Sequence, residues 1–587
     1  MFKLICRQLN KKQWLSMLLI VGLVMLQVWL ELEIPDYMSE ITVLIQTEGN
    51  MISEILLAGG KMLVCAITSA ICAIIVGYIV AKVSAGVSKK IRSELFNKVQ
   101  SFSSNEIKNF STASLITRST NDITQIQMFI VMGLSALIKA PIMAIWAIVK
   151  ISGKSYQWSI ATAVAVIVLI LSVITIISFV LPRFRKMQTL TDNINRITRE
   201  NLTGLRVVRA YNAEEYQKNK FETANAELTN TNLTAHRAMS LLSPLMNAVM
   251  SGLPLAIYWI GAFLINSAFT PDKLTIFSDM VVFSSYAVQI VMSFMLLVIV
   301  FIMLPRASVS ARRINEVLNT KSSIQDGEGV IVESNEQGKI EFKNVSFKYQ
   351  DADEYVLKDI NFKCNKGDVV AFIGSTGSGK STLINLVPRF YDASEGEVLV
   401  DGKNVKDFKL KDLRDRIGYV SQRAVLFSGT VLSNVALGGE DEKPDEEDIH
   451  KAIEISQSSD FVSKMDKGIN SHISQGGKNV SGGQKQRLSI ARALAKNPEI
   501  MIFDDSFSAL DYKTDKALRS ALNKEFEGTT IMIVAQRIGT IKDADKIIVL
   551  DEGNIVGTGK HEELLKSCPV YKEIALSQLS EEELKNA

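Results

Sequence analysis

Residues 369–387 read VVAFIGSTGSGKSTLINLV and decide the fold of the second half of the chain. An apolar run is followed by a glycine-rich loop and then by a helical segment. The loop, 374–381, matches the pattern GxxxxGKS in the strand–loop–helix setting that this pattern requires. Its glycines allow backbone N–H groups to curl around phosphates, so the stretch predicts a nucleoside triphosphate site in an α/β domain.

The charged and hydroxyl side chains of this loop have separate expected roles. Lys380 brings positive charge to the β and γ phosphates, and Ser381 supplies an oxygen to Mg²⁺. A second apolar strand, 500–503, ends in Asp504, whose carboxylate is the expected Mg²⁺ anchor beside a phosphate loop. The cofactors predicted from the sequence are therefore ATP and Mg²⁺. The predicted phosphate-binding residues are Gly374, Ser375, Thr376, Gly377, Ser378, Gly379, Lys380, Ser381 and Thr382.

Composition divides the chain into two unlike halves. The 587 residues are 47% hydrophobic, but six long apolar stretches lie before residue 305 and the rest has the composition of a soluble α/β domain. The predicted organisation is a membrane domain at 1–320, a polar linker at 321–337 and an ATP-binding domain at 338–587. A net charge of +3 gives no global field that would favour nucleic acid as a partner.

Six segments are long enough to cross a membrane as helices, which requires about 20 apolar residues each. Lys and Arg are concentrated before the first span and in the second and fourth connections, whereas the first connection carries only acidic charges. This pattern predicts a multi-pass protein of the cytoplasmic membrane with both termini inside. The two basic connections have helical composition, and we expect them to dock on the ATP-binding domain. The predicted spans are 13–33, 55–82, 127–150, 157–181, 240–268 and 277–304.

Lys139 lies in the middle of the third span, next to Pro141. A charge inside a membrane is costly and is a functional candidate by default. Two interpretations remain open at this point. Lys139 either contacts a transported substrate or pairs with a neighbouring helix.

Residues 480–487 read VSGGQKQR and closely resemble the signature sequence of ABC ATPases. Together with the phosphate loop and the six spans, this makes the whole chain similar to an ABC exporter half-transporter. In that family the signature contacts ATP held by the opposite subunit, so two ATP molecules lie between two domains. A helix N-terminus after the signature suits this role, because it attracts the γ-phosphate. The signature residues implied to bind nucleotide are Ser481, Gly482, Gly483 and Gln484.

The resemblance implies further site residues. Tyr349 stands where the family places an aromatic ring on adenine, and Gln422 matches the glutamine that contacts Mg²⁺ along with Ser381 and Asp504. Residues 508–511 match the loop that crosses to the partner. In the membrane half, residues 110–123 and 200–217 resemble the family's two intracellular coupling segments.

Three positions depart from the family pattern. The residue after Asp504 is Asp505, where the family has the glutamate that activates the attacking water. A general base must lie within about 2.6–3.2 Å of the proton that it takes, and Asp505 is one methylene shorter. The switch histidine is replaced by Gln536, which cannot become a cation. Gln475 replaces a frequent glutamate, and drift accounts for this change almost as well as function does.

Asp505 and Gln536 together resemble the degenerate-site subunit of bacterial heterodimeric multidrug exporters. This resemblance implies a different partner subunit that carries the catalytic glutamate and the switch histidine, with weak hydrolysis at this chain's own site. The expected cargo is a small amphipathic compound, and membrane lipid is an expected contact. The alternatives are a homodimeric exporter of lipid or peptide and a regulatory ATP-gated protein on the same scaffold. Six spans exclude a soluble DNA-repair or translation ATPase.

Overall fold

The computed structural model describes most of the chain as two compact units. The first unit comprises residues 1–100 and 112–320, and the second comprises residues 101–111 and 321–587. Part of the predicted linker, residues 331–336, lies outside the described residues. The structure describes residues 1–46, 52–152, 154–330, 337–437 and 444–578.

The first unit consists of helices. Six stretches in it are long and apolar enough to cross a membrane, which confirms the predicted fold class of this half. The π-helix Phe129–Gly133 lies between α6 and α7. The helices are α1 (Phe2–Gln8), α2 (Lys11–Gln46), α3 (Ile52–Gln100), α4 (Ser104–Phe110, which belongs to the second unit), α5 (Thr112–Ser119), α6 (Asn121–Met128), α7 (Leu134–Ile151), α8 (Tyr156–Thr203), α9 (Leu205–Ala210), α10 (Glu214–Ser240), α11 (Leu242–Ser267) and α12 (Thr270–Asn319).

The membrane helices extend well beyond their apolar segments. Helix α3 has 49 residues and α8 has 48. At a rise of 1.5 Å per residue, such helices are about 70 Å long, more than twice the thickness of a hydrocarbon core. Their apolar residues fall in one part of each helix and their basic residues in the other. The basic connections expected to be helical are therefore continuations of the spanning helices.

Lys139 pairs with a carboxylate inside the membrane unit. Its Nζ lies 2.8 Å from Oε1 of Glu31 on α2. The same oxygen accepts hydrogen bonds from Gln27 Nε2 at 2.9 Å and from Ser69 Oγ at 3.3 Å. The structure therefore gives Lys139 the helix-pairing role that was one of the two interpretations. Glu31 was not identified from the sequence, although a second charge within a span is the signal for such a partner.

A second polar group joins α2, the C-terminal end of α7 and α12. Lys150 Nζ lies 3.0 Å from Glu33 Oε1 and 2.6 Å from Asp36 Oδ2. Tyr286 on α12 donates its hydroxyl to the other Asp36 oxygen at 2.6 Å. Lys150 thus contacts two carboxylates, and the tyrosine hydroxyl donates to one of them. These contacts fix the rotation of three helices about their axes.

The second unit is an α/β domain. Its main sheet has six strands in the order β12-β11-β3-β10-β9-β6, and a four-stranded sheet has the order β2-β1-β4-β5. Strands β7 and β8 form a separate pair. The strands are β1 (Ile340–Phe347), β2 (Leu357–Cys364), β3 (Val369–Gly374), β4 (Glu395–Val400), β5 (Lys403–Asn404), β6 (Ile417–Val420), β7 (Gly429–Thr430), β8 (His472–Ile473), β9 (Ile500–Asp504), β10 (Thr530–Val534), β11 (Lys546–Asp551) and β12 (Asn554–Gly559).

Helices cover this sheet and follow its strands. Short 3₁₀ turns at Gly468–Asn470 and Gln475–Gly477 complete the unit. Its helices are α13 (Lys380–Leu386), α14 (Leu410–Asp415), α15 (Val431–Val435), α16 (Glu446–Ile455), α17 (Ser459–Val462), α18 (Gly482–Leu494), α19 (Tyr512–Glu525), α20 (Ile538–Ile541), α21 (His561–Ser567) and α22 (Pro569–Leu576).

Parallel pairing in the main sheet brings three loops to one edge. Strand β10 pairs in parallel with both β3 and β9, with Val534 opposite Phe372 on one side and Asp504 on the other. Parallel strands end at the same edge of a sheet, where ligands of open α/β sheets bind. The loops after β3, β9 and β10 therefore meet, and they carry Lys380, Asp505 and Gln536.

Residues 101–111 pack with the second unit instead of the first. The sequence predicts a membrane domain that contains the whole of 1–320. The carboxylate of Glu106 accepts a hydrogen bond from the backbone N–H of Ser323 at 3.1 Å. Ser103 and Ser323 share a hydrogen bond of 2.9 Å between their hydroxyls. Hydrogen bonds from Ser103 and Ser323 hold the pKa of Glu106 below its usual value despite its burial. The carboxylate is therefore ionised at neutral pH and ties this segment to the start of the second unit.

The Lys139–Glu31 pair leads to a testable expectation for stability. Substitution of Lys139 by Met should cost about 1–3 kcal/mol of unfolding free energy, because it leaves a carboxylate without its cation in a low-dielectric region. The double variant Lys139→Met/Glu31→Gln should lose less unfolding free energy than Lys139→Met alone, because it leaves no unpaired carboxylate. Thermal unfolding of the detergent-solubilised protein measures both. Equal losses in the single and double variants would contradict the assignment of the pair.

Candidate functional site

The phosphate loop connects the buried strand β3 to helix α13. Gly379 stands at the helix N-cap with φ of +98°, a backbone conformation that side chains disfavour. A Cβ at this position would lie 2.7 Å from a methyl carbon of Leu357. The glycine is therefore required both by the turn and by the close packing of β2 against it. The turn leaves the N–H groups at the start of α13 facing the cleft.

Lys380 lies within this loop and is largely buried. Its Nζ donates to the carbonyl oxygens of Gly374 at 2.9 Å and Ser375 at 2.7 Å, and to Ser378 Oγ at 3.2 Å. Burial lowers the pKa of Lys380, while the nearby carboxylates of Asp505 and Asp504 act in the opposite direction. The loop thus holds an ammonium group whose charge is poorly solvated. A polyphosphate in the cradle would supply the anion that this group lacks.

Ser381 and Asp504 form the predicted Mg²⁺ position. Ser381 Oγ donates to Asp504 Oδ1 at 2.7 Å, so the first turn of α13 touches the end of β9. Burial raises the pKa of Asp504, and the adjacent carboxylate of Asp505 raises it further. Hydroxyl and carboxylate oxygens are the ligands that Mg²⁺ prefers, and a buried pair of carboxylates favours a cation. The residues present therefore fit the ion that the sequence implies.

Asp505 is held by two side-chain amides. Gln536 Nε2 donates to Asp505 Oδ2 at 2.8 Å, and Gln422 Nε2 donates to the same oxygen at 3.3 Å. The backbone of Asp505 has φ of +47° and donates its N–H to Val534 at 2.9 Å. Burial raises the pKa of Asp505, although the hydrogen bond from Gln422 acts against this. The carboxylate therefore faces the cleft, and its Oδ2 atom already accepts two hydrogen bonds.

These side chains line one cleft with a volume of about 230 Å³. It brings together residues predicted from three separate motifs: the phosphate loop, the Gln422 segment and the two departing positions. The signature residues are not among those that line it. Gly374, Ser375, Ser378, Tyr349 and Asp504 are not among its lining residues either. The lining residues with predicted roles are Thr376, Gly377, Gly379, Lys380, Ser381, Thr382, Gln422, Asp505 and Gln536.

The signature begins a helix, as its sequence predicts. Ser481 caps α18, because its Oγ accepts the Gln484 N–H at 3.3 Å while Gln484 Oε1 accepts the Ser481 N–H at 2.9 Å. This reciprocal capping box satisfies two backbone donors and leaves the others of the first turn available. Ser481 and Gly482 are exposed. Gln475, seven residues before Gly482, is also exposed and has no contact that assigns it a role.

Tyr349 stands beside the phosphate loop within an aromatic group. Its hydroxyl shares a hydrogen bond of 2.9 Å with Thr382 Oγ1. Phe347 and Tyr391 meet its ring edge-on, with centroids 4.9 and 5.4 Å away. Lys108 Nζ lies 4.4 Å from the Tyr349 ring centroid. Sequence reasoning missed Lys108, since the coupling segment identified from the sequence begins at Phe110 and nothing local to Lys108 indicates an aromatic partner.

Comparison with known proteins matches both halves of the chain to described families. Residues 357–508 match the family described as ABC transporter, and residues 17–294 match the ABC transporter transmembrane region. A bacterial Atm1-family ABC exporter with ATP bound has the same fold, with a TM-score of 0.81 and 23% identity. The superposition covers 97% of this chain and 100% of the exporter chain.

Three curated relatives are similar over most of their length. An uncharacterized ABC transporter ATP-binding protein of Mycobacterium tuberculosis (strain ATCC 25618 / H37Rv) is 38% identical over 510 residues, 86% of each chain. The uncharacterized ABC transporter ATP-binding protein YfiB of Bacillus subtilis (strain 168) is 34% identical over 502 residues, again 86% of each. An ATP-dependent lipid A-core flippase of Hahella chejuensis (strain KCTC 2396) is 31% identical over 518 residues, 86% of this chain and 85% of the relative.

The raised pKa of Asp505 predicts a pH-dependent stability effect. Above its raised pKa the buried ionised carboxylate destabilises the folded state, and this penalty disappears as pH falls toward the unfolded pKa. Substitution of Asp505 by Asn should therefore raise the thermal midpoint of the nucleotide-free protein at pH 7. The gain should shrink as the pH is lowered toward 4. Differential scanning fluorimetry across this pH range measures it.

Asp511 provides the matched control for this measurement. It is an exposed aspartate in the following loop, and hydrogen bonds from Thr514 lower its pKa. Asp511→Asn should give no gain in thermal midpoint at pH 7, because its carboxylate is favoured in the folded state. An equal gain from both substitutions would show that burial of Asp505 is not the cause.

Proposed function

The chain belongs to the ABC transporter family as an exporter half-transporter with six membrane helices and an ATPase domain, and we propose that it is the degenerate-site subunit of a heterodimeric exporter. In this proposal its own cleft binds ATP firmly and hydrolyses it slowly. A different subunit supplies the catalytic glutamate and the switch histidine for the second site. Binding energy from two ATP molecules closes the dimer, and hydrolysis at the partner's site reopens it.

The nucleotide in this proposal is held by the residues that meet at the sheet edge. Lys380 and the N–H groups of the loop bind the phosphates, and Tyr349 stacks on the base. Ser381, Gln422 and Asp504 hold Mg²⁺, which would neutralise the charge on the phosphates. The geometry supports these roles, since the loop and Gln422 line one cavity and Ser381 of that loop is hydrogen-bonded to Asp504.

One observation carries the proposal of weak hydrolysis, the hydrogen bonding of Asp505. Its Oδ2 atom accepts hydrogen bonds from the Nε2 atoms of both Gln536 and Gln422. These NH₂ groups donate at every pH, because an amide does not titrate. A general base needs a free oxygen within hydrogen-bond reach of the attacking water, and the contribution of such a base is on the order of 10²–10⁴ in rate. The shorter side chain acts against that contact, and the two amides both bind Oδ2, one of the two carboxylate oxygens. Gln536 also cannot add positive charge beside the γ-phosphate.

The signature supports the other half of the proposal. Ser481 and Gly482 are exposed at the start of α18, outside the cleft of their own chain. The helix N-terminus is formed and capped as the family requires. We propose that this surface completes the partner's site, where it contacts the γ-phosphate of the ATP held there. The chain then contributes to hydrolysis through its signature rather than through Asp505.

We propose a small amphipathic cargo, with multidrug export as the leading case. Lys139 is paired with Glu31, so this charge in the third span is not free to bind an ionic cargo. A lipid cargo is the second candidate, because a relative with 31% sequence identity to this chain is named an ATP-dependent lipid A-core flippase. The proposed location is the bacterial cytoplasmic membrane with both termini inside. A homodimer and a regulatory ATP-gated protein remain the alternatives.

Asymmetric mutagenesis tests the degenerate-site proposal. Asp505→Ala should lower the steady-state ATPase rate of the assembled pair by less than threefold, because little hydrolysis depends on it. Substitution of the partner's corresponding glutamate by Gln should lower the rate by about 10²-fold or more. The phosphate-release rate of the purified pair measures both. The control is Lys380→Ala, which should weaken ATP binding by this chain. Equal losses from the two acidic positions would contradict the proposal, as would a fast, substrate-stimulated ATPase made of this chain alone.

Transport assays test the cargo and the class of protein. In inverted membrane vesicles that contain the pair, ATP should drive uphill accumulation of a fluorescent amphipathic dye, and a non-hydrolysable ATP analogue should not. Movement of a fluorescent lipid between leaflets without dye accumulation would favour the lipid candidate. A passive, ATP-gated ion current with neither activity would contradict an exporter.

A further inference from the structure

Gln578, two residues beyond helix α22, extends its side chain to the loop that follows β10. The helix is anchored by Tyr571 and Ala575, which are fully buried in the core on one side of the main sheet. After the helix the backbone N–H of Gln578 bonds to the carbonyl of Ala575 at 3.1 Å, so this residue is held in the final turn. Its side chain then extends toward the loop between β10 and α20. A rigid element therefore presents one amide group at a fixed place.

The amide of Gln578 makes two hydrogen bonds to the backbone of that loop. Its Oε1 accepts the N–H of Ile538 at 2.9 Å, and its Nε2 donates to the carbonyl of Gln536 at 2.7 Å. The two bonds lie on either side of Arg537. A glutamine side chain is a peptide-like group with one donor and one acceptor end, so it pairs with a turn of backbone as a neighbouring strand would.

The N–H of Ile538 needs an acceptor from outside its own loop. Helix α20 has only four residues, and its N-cap, Arg537, makes no side-chain capping hydrogen bond. An arginine has no acceptor, so it cannot bind the free N–H groups of the first turn. The N–H of Ile538 is one of those groups. Gln578 supplies the acceptor that the local sequence does not provide, from a position forty residues later in the chain.

Gln536, whose carbonyl accepts the hydrogen bond from Gln578, also contacts Asp505. Gln536 is held through its carbonyl by Gln578, and its side chain donates to the Asp505 carboxylate at 2.8 Å. Gln536 also lines the cleft that Thr376 and Lys380 line. A shift of its backbone would move that amide away from both the carboxylate and the phosphate.

We infer that Gln578 is a positioning residue that sets the place of the Gln536 switch loop in the nucleotide cleft. It acts through the backbone of residues 536–538 and does not touch nucleotide. This inference rests on one part of the proposed function, namely that Gln536 faces the γ-phosphate of ATP bound in this cleft. Gln578 should therefore affect discrimination between ATP and ADP, since ADP lacks the phosphate that Gln536 faces.

Nucleotide affinity of the full-length chain tests this inference. Gln578→Ala should weaken binding of Mg·ATP about fivefold and leave binding of Mg·ADP unchanged, since two hydrogen bonds that position the loop are lost. Gln578→Glu keeps the acceptor for Ile538 but places a second oxygen against the Gln536 carbonyl, so it should weaken ATP binding as well. The matched control is Ser577→Ala, because the Ser577 hydroxyl donates to the carbonyl of Ile574 and, among the described residues, makes no hydrogen bond to the 536–538 loop. It should leave both affinities unchanged.

Hydrogen–deuterium exchange separates positioning from a general loss of structure. In Gln578→Ala, exchange should rise in the peptide that covers residues 535–541 and stay unchanged in α22, with the thermal midpoint of the protein preserved. Equal losses of ATP and ADP affinity, or faster exchange throughout α22, would show a structural role and overturn the inference. Unchanged nucleotide affinities would overturn it too. None of these readouts depends on whether the partner is a different subunit, so a homodimer would contradict the proposed function and leave this test intact.

Discussion

The hydrogen bonds that converge on the Asp505 carboxylate are the constraint on which the function of this chain depends. A parallel sheet brings the ends of β3, β9 and β10 together, and Asp505 is the residue where those ends meet. Gln536 and Gln422 bind it from two sides, while burial works against its charge. The same edge that holds the phosphate loop therefore also holds a carboxylate whose Oδ2 already accepts two hydrogen bonds.

The arrangement connects the nucleotide to two distant parts of the chain. Lys108, from the short helix inserted between two membrane helices, lies over the ring of Tyr349, and Glu106 in the same helix is tied to Ser323. On the other side, Gln578 holds the Gln536 loop by its backbone. Residues around the phosphate loop thus contact a segment that leads into the membrane unit, and the Gln536 loop contacts Gln578, which follows the last helix described in the ATPase unit.

Much of the fold and of the site followed from local sequence patterns. The phosphate loop, the Asp504 strand and the six apolar stretches are contiguous signals, and each produced the element expected of it. The contacts of Lys139 with Glu31 and of Gln536 with Gln578 join residues far apart in the chain, and no spacing rule links them. Lys108 shows the same limit, because its partner is an aromatic ring in the other half of the sequence. Local physics specifies helices, strands and loops, whereas these pairings exist only after the units have packed.

The central claim is that ATP stays intact in this chain's cleft while the partner's site turns over. The direct measurement is to identify the nucleotide recovered from each subunit during steady-state hydrolysis, by photolabelling with an azido-ATP labelled at the α-phosphate and separating the two chains. The account predicts mainly triphosphate on this chain and mainly diphosphate on its partner. Diphosphate on both chains in equal amounts would contradict it.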